Sequence, residues 1–600
     1  MKPKKSTTNK SSIEKRFKTV RRKVDKVNRH AFKHVQQWLV VRRDNLLAVR
    51  KNVVIWLAVM MLLIATSIVQ TVIYTNDNIA KVPVSGGTYA EGVVDKITTV
   101  NPVLASTDSE KALASMVYRG LLTYDESNNL KGDLAKNWSV DSDGRTWTVE
   151  LNPDLHWSDG QKLTADDVLF TLDLIKNKNS NSPLYSSYET VDARKVNDHT
   201  VKFVMPNIYM PFPVALTFGV LPKHILKDKS VTEINSISSQ MPERIVGSGS
   251  FVVGSIENKS SSQSTWSFVP NKNYDGSAPR LDRVTVRAYG NQSAMAAGLQ
   301  HGEVNVLTDV SLGSLNGLSK GRTVNYATTA DGIYALFNTD GELTGNQEMR
   351  NALRLAIDLS GLRKEVVKGV RTISEPRALE TPLAAGVYKE TDRMKQPNND
   401  TKTANEILDK LGWVKHTGAK YRAKDGKILT INIATLKGTN YERVANIVAE
   451  RWRNIGVDAK VQIADPATAQ QEVLSPRNYD VLIYQLHLGA DPDEYAYWSS
   501  TQTGATGLNF SNYSSKRAEV LLSNGRTATD SHARKMRYLA FAKQWQQDNP
   551  AIALYQPSIY FVADDNVRAL PRGASLVDAS HRYRGVENWT VRMGSVKATP

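Results

Sequence analysis

Adjacent acidic side chains are the residues of this 600-residue chain that come closest to a catalytic pattern. Asp166 and Asp167 are neighbours, and a single proline separates Asp491 from Asp493. A glycosidase needs two carboxylates across a cleft, whereas adjacent acids in the first turn of a helix point apart and favour capping. The HExxH and G-x-S-x-G motifs are absent, and S-x-x-K occurs at residues 12–15 in a basic tail. We therefore predict that the protein is not an enzyme.

Side chains that bind metals or cofactors are scarce. The chain has 10 His and no Cys, which excludes disulfides, thiolate metal sites, a cysteine nucleophile and a lipid-modified N-terminal cysteine. His487 could help to bind nickel or haem, but a lone histidine is more often a solvated or packed side chain. No lysine follows the glycine-rich stretch 247–251, so it does not match a phosphate-binding loop. We predict no cofactor and no resident metal.

The elements that must position any functional residues alternate between strand and helix. A turn at Asp143-Gly144 precedes a predicted strand over 146–151, and Thr164 is placed to cap the helix that follows. Gly456 fits the C-cap of another helix. Hydrophobic periodicity predicts further strands over 281–289, 428–434 and 457–463, and helices over 349–357 and 441–455. This alternation indicates an α/β protein with mixed sheets.

Positive charge and a long apolar run are concentrated near the N-terminus. Of the 77 Lys and Arg residues, 17 lie in residues 1–52 beside only three acids, so they account for most of the net charge of +17. Residues 53–74 are uncharged and, at about 1.5 Å per residue, span about 33 Å as a helix, enough for a bilayer core of about 30 Å. Basic residues precede this run, which predicts an uncleaved anchor with a cytoplasmic N-terminus and an extracellular or periplasmic C-terminal portion. A cleaved signal peptide is the alternative.

The basic segment 1–52 has apolar residues at helical spacing between its many cations. An amphipathic helix of this kind could lie on the anionic inner leaflet, or it could pair with a partner helix. A third interpretation is a disordered tail that only sets membrane topology. No helix-turn-helix pattern is present, and the rest of the chain is nearly neutral, so we predict no binding to nucleic acid.

Residues 137–170, NWSVDSDGRTWTVELNPDLHWSDGQKLTADDVLF, form an ordered motif that resembles the signature of the family 5 extracellular solute-binding proteins. Members of this family are the peptide, dipeptide and nickel receptors of ABC importers. Shorter motifs extend the resemblance from residue 86 to the end of the chain: Gly86-Gly87-Thr88, Asn101-Pro102, Tyr118 with 120–122, 350–358, 406–413, 451–457, Asp491-Pro492-Asp493 and 548–554.

The resemblance implies a two-lobed periplasmic-binding-protein type II fold with an extra domain and mixed sheets. Together with the anchor it gives the following predicted organisation: a basic cytoplasmic segment 1–52, one transmembrane helix 53–74, a linker 75–85, lobe I in 86–119, 246–324 and 557–600, the extra domain 120–245, and lobe II 325–556.

In the family, the loop before the Asp-Pro pair lines the ligand cleft. The residues of this loop that we expect at the ligand are Tyr484, Gln485, His487, Leu488 and Asp491. Peptide-binding relatives commonly carry an aspartate at the position of Leu488, where it holds the ligand's α-ammonium. Asp491 or Asp493 could supply the charge instead, although Asp-Pro-Asp is more often a turn that opens a helix.

A second cleft segment is expected at residues 106–110, ahead of the helix that carries Tyr118. Thr107 and Glu110 form a capping-box pattern, and the free N-terminus of the helix, with Asp108 and Ser109, could also receive a ligand carboxylate. Aromatic candidates for the cleft are Tyr118, Tyr124, Tyr334 and Tyr484, although tyrosine is more often a half-buried core residue.

These features predict a membrane-anchored extracellular receptor that captures a peptide-like solute and delivers it to an ABC permease and its ATPase. Two alternatives stay open. The same fold could serve as a surface sensor or scaffold whose basic cytoplasmic helix contacts a partner, or the chain could be a metal-chelate receptor that uses His487.

Overall fold

The computed structural model of this protein describes residues 43–77, 79–260, 263–370, 373–438 and 440–597. The part of the predicted amphipathic segment that precedes residue 43 lies outside these ranges. The strands, in chain order, are β1 (Ile79–Val84), β2 (Thr88–Val93), β3 (Leu122–Tyr124), β4 (Leu130–Gly132), β5 (Ala135–Val140), β6 (Thr146–Leu151), β7 (Asp192–Asn197), β8 (Thr200–Val204), β9 (Phe251–Ser260), β10 (Gln263–Pro270), β11 (Arg283–Ala288), β12 (Val306–Thr308), β13 (Thr323–Thr329), β14 (Asp331–Phe337), β15 (Ala423–Lys424), β16 (Lys427–Ile428), β17 (Thr430–Leu436), β18 (Asp458–Ala464), β19 (Val481–His487), β20 (Ala551–Tyr555), β21 (Ser558–Ala563), β22 (Ala574–Leu576) and β23 (Arg592–Lys597).

The α-helices lie mainly between these strands. They are α1 (Arg43–Asp77), α2 (Asp108–Val117), α3 (Ala165–Lys176), α4 (Tyr185–Tyr188), α5 (Phe212–Ala215), α6 (Lys223–Leu226), α7 (Val231–Gln240), α8 (Gln292–Gln300), α9 (Leu312–Leu318), α10 (Gln347–Leu355), α11 (Leu359–Val366), α12 (Thr401–Lys410), α13 (Tyr441–Asn454), α14 (Tyr495–Trp498), α15 (Lys516–Thr527) and α16 (Ser531–Asp548).

Helix α1 belongs to a compact unit formed by the described parts of Met1–Val82 and Gly594–Pro600. Within it, Arg50–Thr71 is long and apolar enough to cross a membrane, and none of this span is buried. The span contains most of the predicted anchor at 53–74. Membrane insertion itself remains a prediction.

The second compact unit, Pro83–Met593, is organised around an eight-stranded mixed sheet. The strand order is β22-β13-β21-β12-β2-β11-β10-β9. Strand β2 runs parallel to both β11 and β12, whereas β21 runs antiparallel to β12 and β13. Strands from both ends of the sequence therefore meet in one layer.

A five-stranded sheet, β18-β17-β19-β14-β20, forms a further layer of this unit. Strand β14 is buried at every position and pairs antiparallel with both β19 and β20. Apolar clusters lie on both sides of it: Phe337 packs against Trp452, and Tyr334 packs against Trp498 and Trp545. The sheet thus fixes the position of the end of β19, from which the following loop leaves.

A four-stranded antiparallel sheet, β5-β6-β8-β7, and the hairpin β3-β4 lie in the sequence stretch predicted as the extra domain. The domain limits remain a prediction. Strand β13 runs to Thr329 within the eight-stranded sheet, so we propose a limit at 329/330 rather than 324/325 between lobes I and II.

Most local predictions are confirmed within two residues. Strand β6 and the capped start of α3 lie as expected, and the Asp167 carboxylate accepts from the Thr164 amide at 2.8 Å. Gly456 ends α13 with a φ of +88°, a conformation that glycine adopts without strain. The predicted strand 428–434 is the least accurate, because Lys427–Ile428 forms a separate small hairpin with β15.

Candidate functional site

The predicted ligand loop leaves the five-stranded sheet at the end of β19. Register pairs Tyr484 with Tyr334 and His487 with Asp331 across β14. The His487 Nδ1 atom lies 2.8 Å from Asp331 Oδ1. Asp331 is almost fully buried, while the side chain of His487 is 68% exposed. Strand pairing therefore fixes a histidine at the surface beside a buried carboxylate.

Electrostatics show which groups face this histidine. The hydrogen bond with Asp331 raises the pKa of His487 against the opposing effect of partial desolvation, and the charges of Asp108 and Asp578 raise it further. Asp108 belongs to the start of α2, and Asp578 lies far along the chain. The end of β19 is thus faced by acidic groups from the stretches predicted as lobe I.

The start of α2 is the second predicted cleft segment, and its capping box is confirmed. Thr107 Oγ1 accepts from the Glu110 amide at 3.2 Å, and Glu110 Oε2 accepts from the Thr107 amide at 3.4 Å. Ser109 is buried, and its hydroxyl accepts from Arg582 at 3.3 Å. Asp108 is exposed, and partial desolvation, followed by the charge of Asp578, raises its pKa.

The Asp491-Pro492-Asp493 stretch forms the turn that we expected. Asp491 Oδ1 accepts from the Asp493 amide at 2.9 Å, and α14 begins two residues later. Arg534 donates two hydrogen bonds to Asp491, at 2.7 and 3.0 Å, and Arg526 lies 3.1 Å from Asp493. Both aspartates are therefore neutralised within the protein, which fits a structural role.

Three other predicted ligand residues of the loop, Leu488, Tyr484 and Gln485, pack against other parts of the protein. Leu488 is 4% exposed and belongs to an apolar cluster of the core. The ring of Tyr484 packs edge-on against Phe510, with the ring centres 5.4 Å apart. Gln485 is partly buried, and its Oε1 accepts from the Tyr441 hydroxyl at 2.6 Å.

The aromatic candidates separate into two groups. Tyr334 is fully buried and donates to the Thr381 carbonyl at 3.0 Å, so the expectation of Tyr334 as a cleft residue is wrong. Tyr118, at the end of α2, is also buried, but it lines a cavity of about 390 Å³. Tyr124 stacks edge-on against His581, whose ring lines the same cavity. Of the predicted ligand residues, Tyr118 alone borders this cavity.

The family model for bacterial extracellular solute-binding proteins, family 5, matches residues 129–507. The chain belongs to this family. The oligopeptide-binding protein AppA of Bacillus subtilis is 26% identical over 498 residues, which cover 81% of this chain and 89% of that relative.

Solved structures show the same fold as this family 5 protein. CtaP from Listeria monocytogenes, an ABC transporter substrate-binding protein, has a TM-score of 0.70 at 24% identity and covers 85% of this chain and 100% of its own. NikZ from Campylobacter jejuni in complex with Ni(L-His) has a TM-score of 0.66 at 24% identity, with 84% and 99% covered. The predicted type II periplasmic-binding-protein fold is thereby confirmed.

Several residues at this site of the solute-binding protein were not predicted from the sequence. Asp331 is the first residue of the otherwise apolar strand DGIYALF. A charged residue at the first position of a buried strand is a signal in the sequence that could have indicated this site. Arg526 and Arg534 lie in helices with many other charges, and no local pattern distinguishes them. Among the described residues, no cluster of three or more His, Asp or Glu side chains is arranged to hold a metal ion.

Proposed function

We propose that this family 5 protein is a membrane-anchored receptor outside the cell. It captures a peptide-like solute at the cleft beside residues 484–494 and delivers it to the permease and ATPase of an ABC importer. It performs no chemistry on the solute. The proposal extends to this chain the ligand class of AppA, whose structure is solved in complex with a nonapeptide.

The observation that carries the proposal is the meeting of three distant stretches of chain at one loop. The charges of Asp108 and Asp578 contribute to the raised pKa of His487. The charge of Asp491 contributes, after burial, to the raised pKa values of Tyr124 and Tyr209. A loop faced by polar groups and aromatic rings from several elements matches the way ligand sites are built, with a few placed polar groups among apolar walls.

The ligand's ammonium needs an acid other than one at position 488. Arg534 and Arg526 already neutralise Asp491 and Asp493. The exposed carboxylate of Asp108 makes no hydrogen bond or ion pair among the described residues, so we assign this role to Asp108. Thr107 and Ser109 stay candidate ligand contacts beside it.

The experiment is to purify the full chain under native conditions, extract it under denaturing conditions and identify the released small molecules by mass spectrometry. Recovered peptides that are lost from the Asp108→Asn variant support both the ligand class and the ammonium site. Peptides that persist in that variant retain the class and overturn the assignment. A non-peptide solute overturns the ligand class.

A metal-chelate ligand is the second candidate, because His487 is exposed at the loop and NikZ shares the fold in complex with Ni(L-His). It requires that His487→Ala abolishes binding of Ni(L-His), as measured by calorimetry. Unchanged heats of binding, or none in the original protein, eliminate this candidate.

A further inference from the structure

Arg526 joins the predicted lobe II to the predicted extra domain. It lies in the last turn of α15, and its carbonyl oxygen accepts a hydrogen bond from the Met210 amide at 2.9 Å. Met210 lies between β8 and α5, more than 300 positions earlier in the chain. One backbone hydrogen bond therefore joins two segments that are far apart in the sequence.

The side chain of Arg526 strengthens the same contact. Its guanidinium lies 4.9 Å from the ring centre of Tyr209 and 4.4 Å from that of Tyr495. Both distances are within the range of cation–π attraction, which is stronger where water is partly excluded. Arg526 is about a third exposed, and its partner Asp493 is 9% exposed. One cation is thus shared by two rings and a carboxylate.

These contacts end at the ligand loop. Asp493 belongs to the turn that begins at Asp491, and Tyr495 opens α14 directly after that turn. The contacts of Arg526 therefore connect the Tyr209–Met210 segment with the turn that follows His487 and Leu488.

We propose that Arg526 is a positioning residue that fastens the Tyr209–Met210 segment to the 491–495 turn and so holds the cleft closed. Only one part of this proposal rests on the proposed function, namely that closure of the cleft retains the solute. The contact between the two segments is a property of the chain alone, so it can be tested whether or not the ligand class is correct.

The test uses the complete chain without ligand. Because the sequence has no cysteine, Val196→Cys and Val520→Cys introduce the only two labelling sites, and both positions are exposed, at 54% and 58%. Spin labels at these sites report the distance between β7 and α15 by pulsed electron paramagnetic resonance.

The doubly labelled protein with Arg526 is expected to show a dominant short distance. Arg526→Ala is expected to reduce the ratio of the short to the long population by roughly tenfold, because the partly desolvated cation–π contact with Tyr209 is lost. Arg526→Lys keeps the charge and restores part of the short population. Tyr209→Leu produces a shift in the same direction, and adding Arg526→Ala to it has less than an additive effect.

The matched control is Arg451→Ala, which removes an ion pair of 2.6 Å with Glu365 within the predicted lobe II. It should leave the distance distribution unchanged. The proposal is overturned if Arg526→Ala gives the original distribution at the original melting temperature. If Arg526→Ala does not fold, Tyr209→Leu decides, and an unchanged distribution in that variant overturns the proposal.

Discussion

At the scale of single residues, Glu494 is the least expected group in the candidate site. It is 1% exposed, and neither carboxyl oxygen has a hydrogen-bond partner among the described residues. Burial raises its pKa well above the ordinary value, and the nearby charges of Asp493 and Asp491 add to this effect. Burial without a hydrogen-bond partner therefore favours the neutral form of the Glu494 carboxyl in the folded protein.

We expect Glu494→Gln to change the pH dependence of stability. Because the folded pKa is raised, the original protein is most stable below the unfolded pKa of about 4.3 and loses up to about 1.4 kcal/mol per pH unit above it. A neutral amide removes this slope. Melting temperatures from pH 4 to pH 8 should diverge increasingly in favour of Glu494→Gln, and parallel curves would contradict a buried neutral acid.

The His487–Asp331 pair gives a pH dependence of the same sign, because its folded pKa is also raised. The raised pKa of His487 means that the pair stabilises the fold below the ordinary histidine pKa, and that this contribution is lost as pH rises through the raised value. Asp331→Asn should lower the pKa of His487 toward about 6.5. Nuclear magnetic resonance of isotope-labelled imidazoles measures the pKa of His487. The signal that disappears in His487→Ala identifies this residue among the 10 histidines. An unchanged titration would show that Asp331 is not the dominant partner.

The turn at residues 491–493 could be predicted from the sequence, whereas the contacts of the loop residues could not. The Asp-Pro-Asp turn depends on three consecutive residues, and its prediction is confirmed. Leu488 belongs to an apolar cluster that also contains Phe510, and Asp491 pairs with an arginine 43 positions away. Such long-range partners leave no local pattern.

At the scale of elements, the start of α2 depends on Glu110. This buried carboxylate accepts from the Thr98 amide at 2.9 Å, the Thr98 hydroxyl at 2.6 Å and the Ser106 amide at 3.0 Å. Burial alone would raise its pKa, but these hydrogen bonds outweigh that effect and lower it. Glu110 thus stabilises the fold above its ordinary pKa, and the contribution is lost as pH falls through the lowered value.

Two capping boxes allow a matched comparison at neutral pH. Thr107→Ala in α2 and Ser230→Ala in α7 should each cost about 1 kcal/mol of unfolding free energy. Glu110→Gln should cost about 2–3 kcal/mol, because its side-chain NH2 would face the backbone amide of Thr98 or of Ser106, neither of which can accept, whereas Glu233→Gln in the exposed box should cost under 1 kcal/mol. Urea denaturation measures all four variants. Equal losses for Glu110→Gln and Glu233→Gln would show that burial of Glu110 is unimportant.

Elements were predictable where the pattern was local. Caps, the Asp143-Gly144 turn and the longer helices rest on a few adjacent residues, and they lie within one turn of their predicted limits. Pairing of strands was not predictable in this way. Strand β13 belongs to the eight-stranded sheet because it fits between β21 and β22, and both follow it by more than 220 residues.

At the scale of the whole molecule, the predicted topology can be tested directly. We expect Ser12→Cys to stay inside the cell and the exposed site Lys131→Cys to face outward, since basic residues precede the apolar span. A membrane-impermeant maleimide added to intact cells should label the second variant alone, and lysis should expose the first. Labelling of both sites in intact cells would contradict the orientation.

The eight-stranded sheet also sets the order in which the newly made chain can fold. Strand β21 fits between β12 and β13, so the edge of each that faces β21 stays unpaired until about 250 residues after β12 and about 230 residues after β13 have been made. At about 5–20 residues per second, this delay lasts about 12–50 s. Unpaired edges invite pairing with other chains. The stretch containing β5 to β8 needs no such wait and can fold as it emerges. Aggregation through unpaired strand edges is therefore most probable while residues 330–563 are being made. A chaperone that covers these edges would be most effective in that interval.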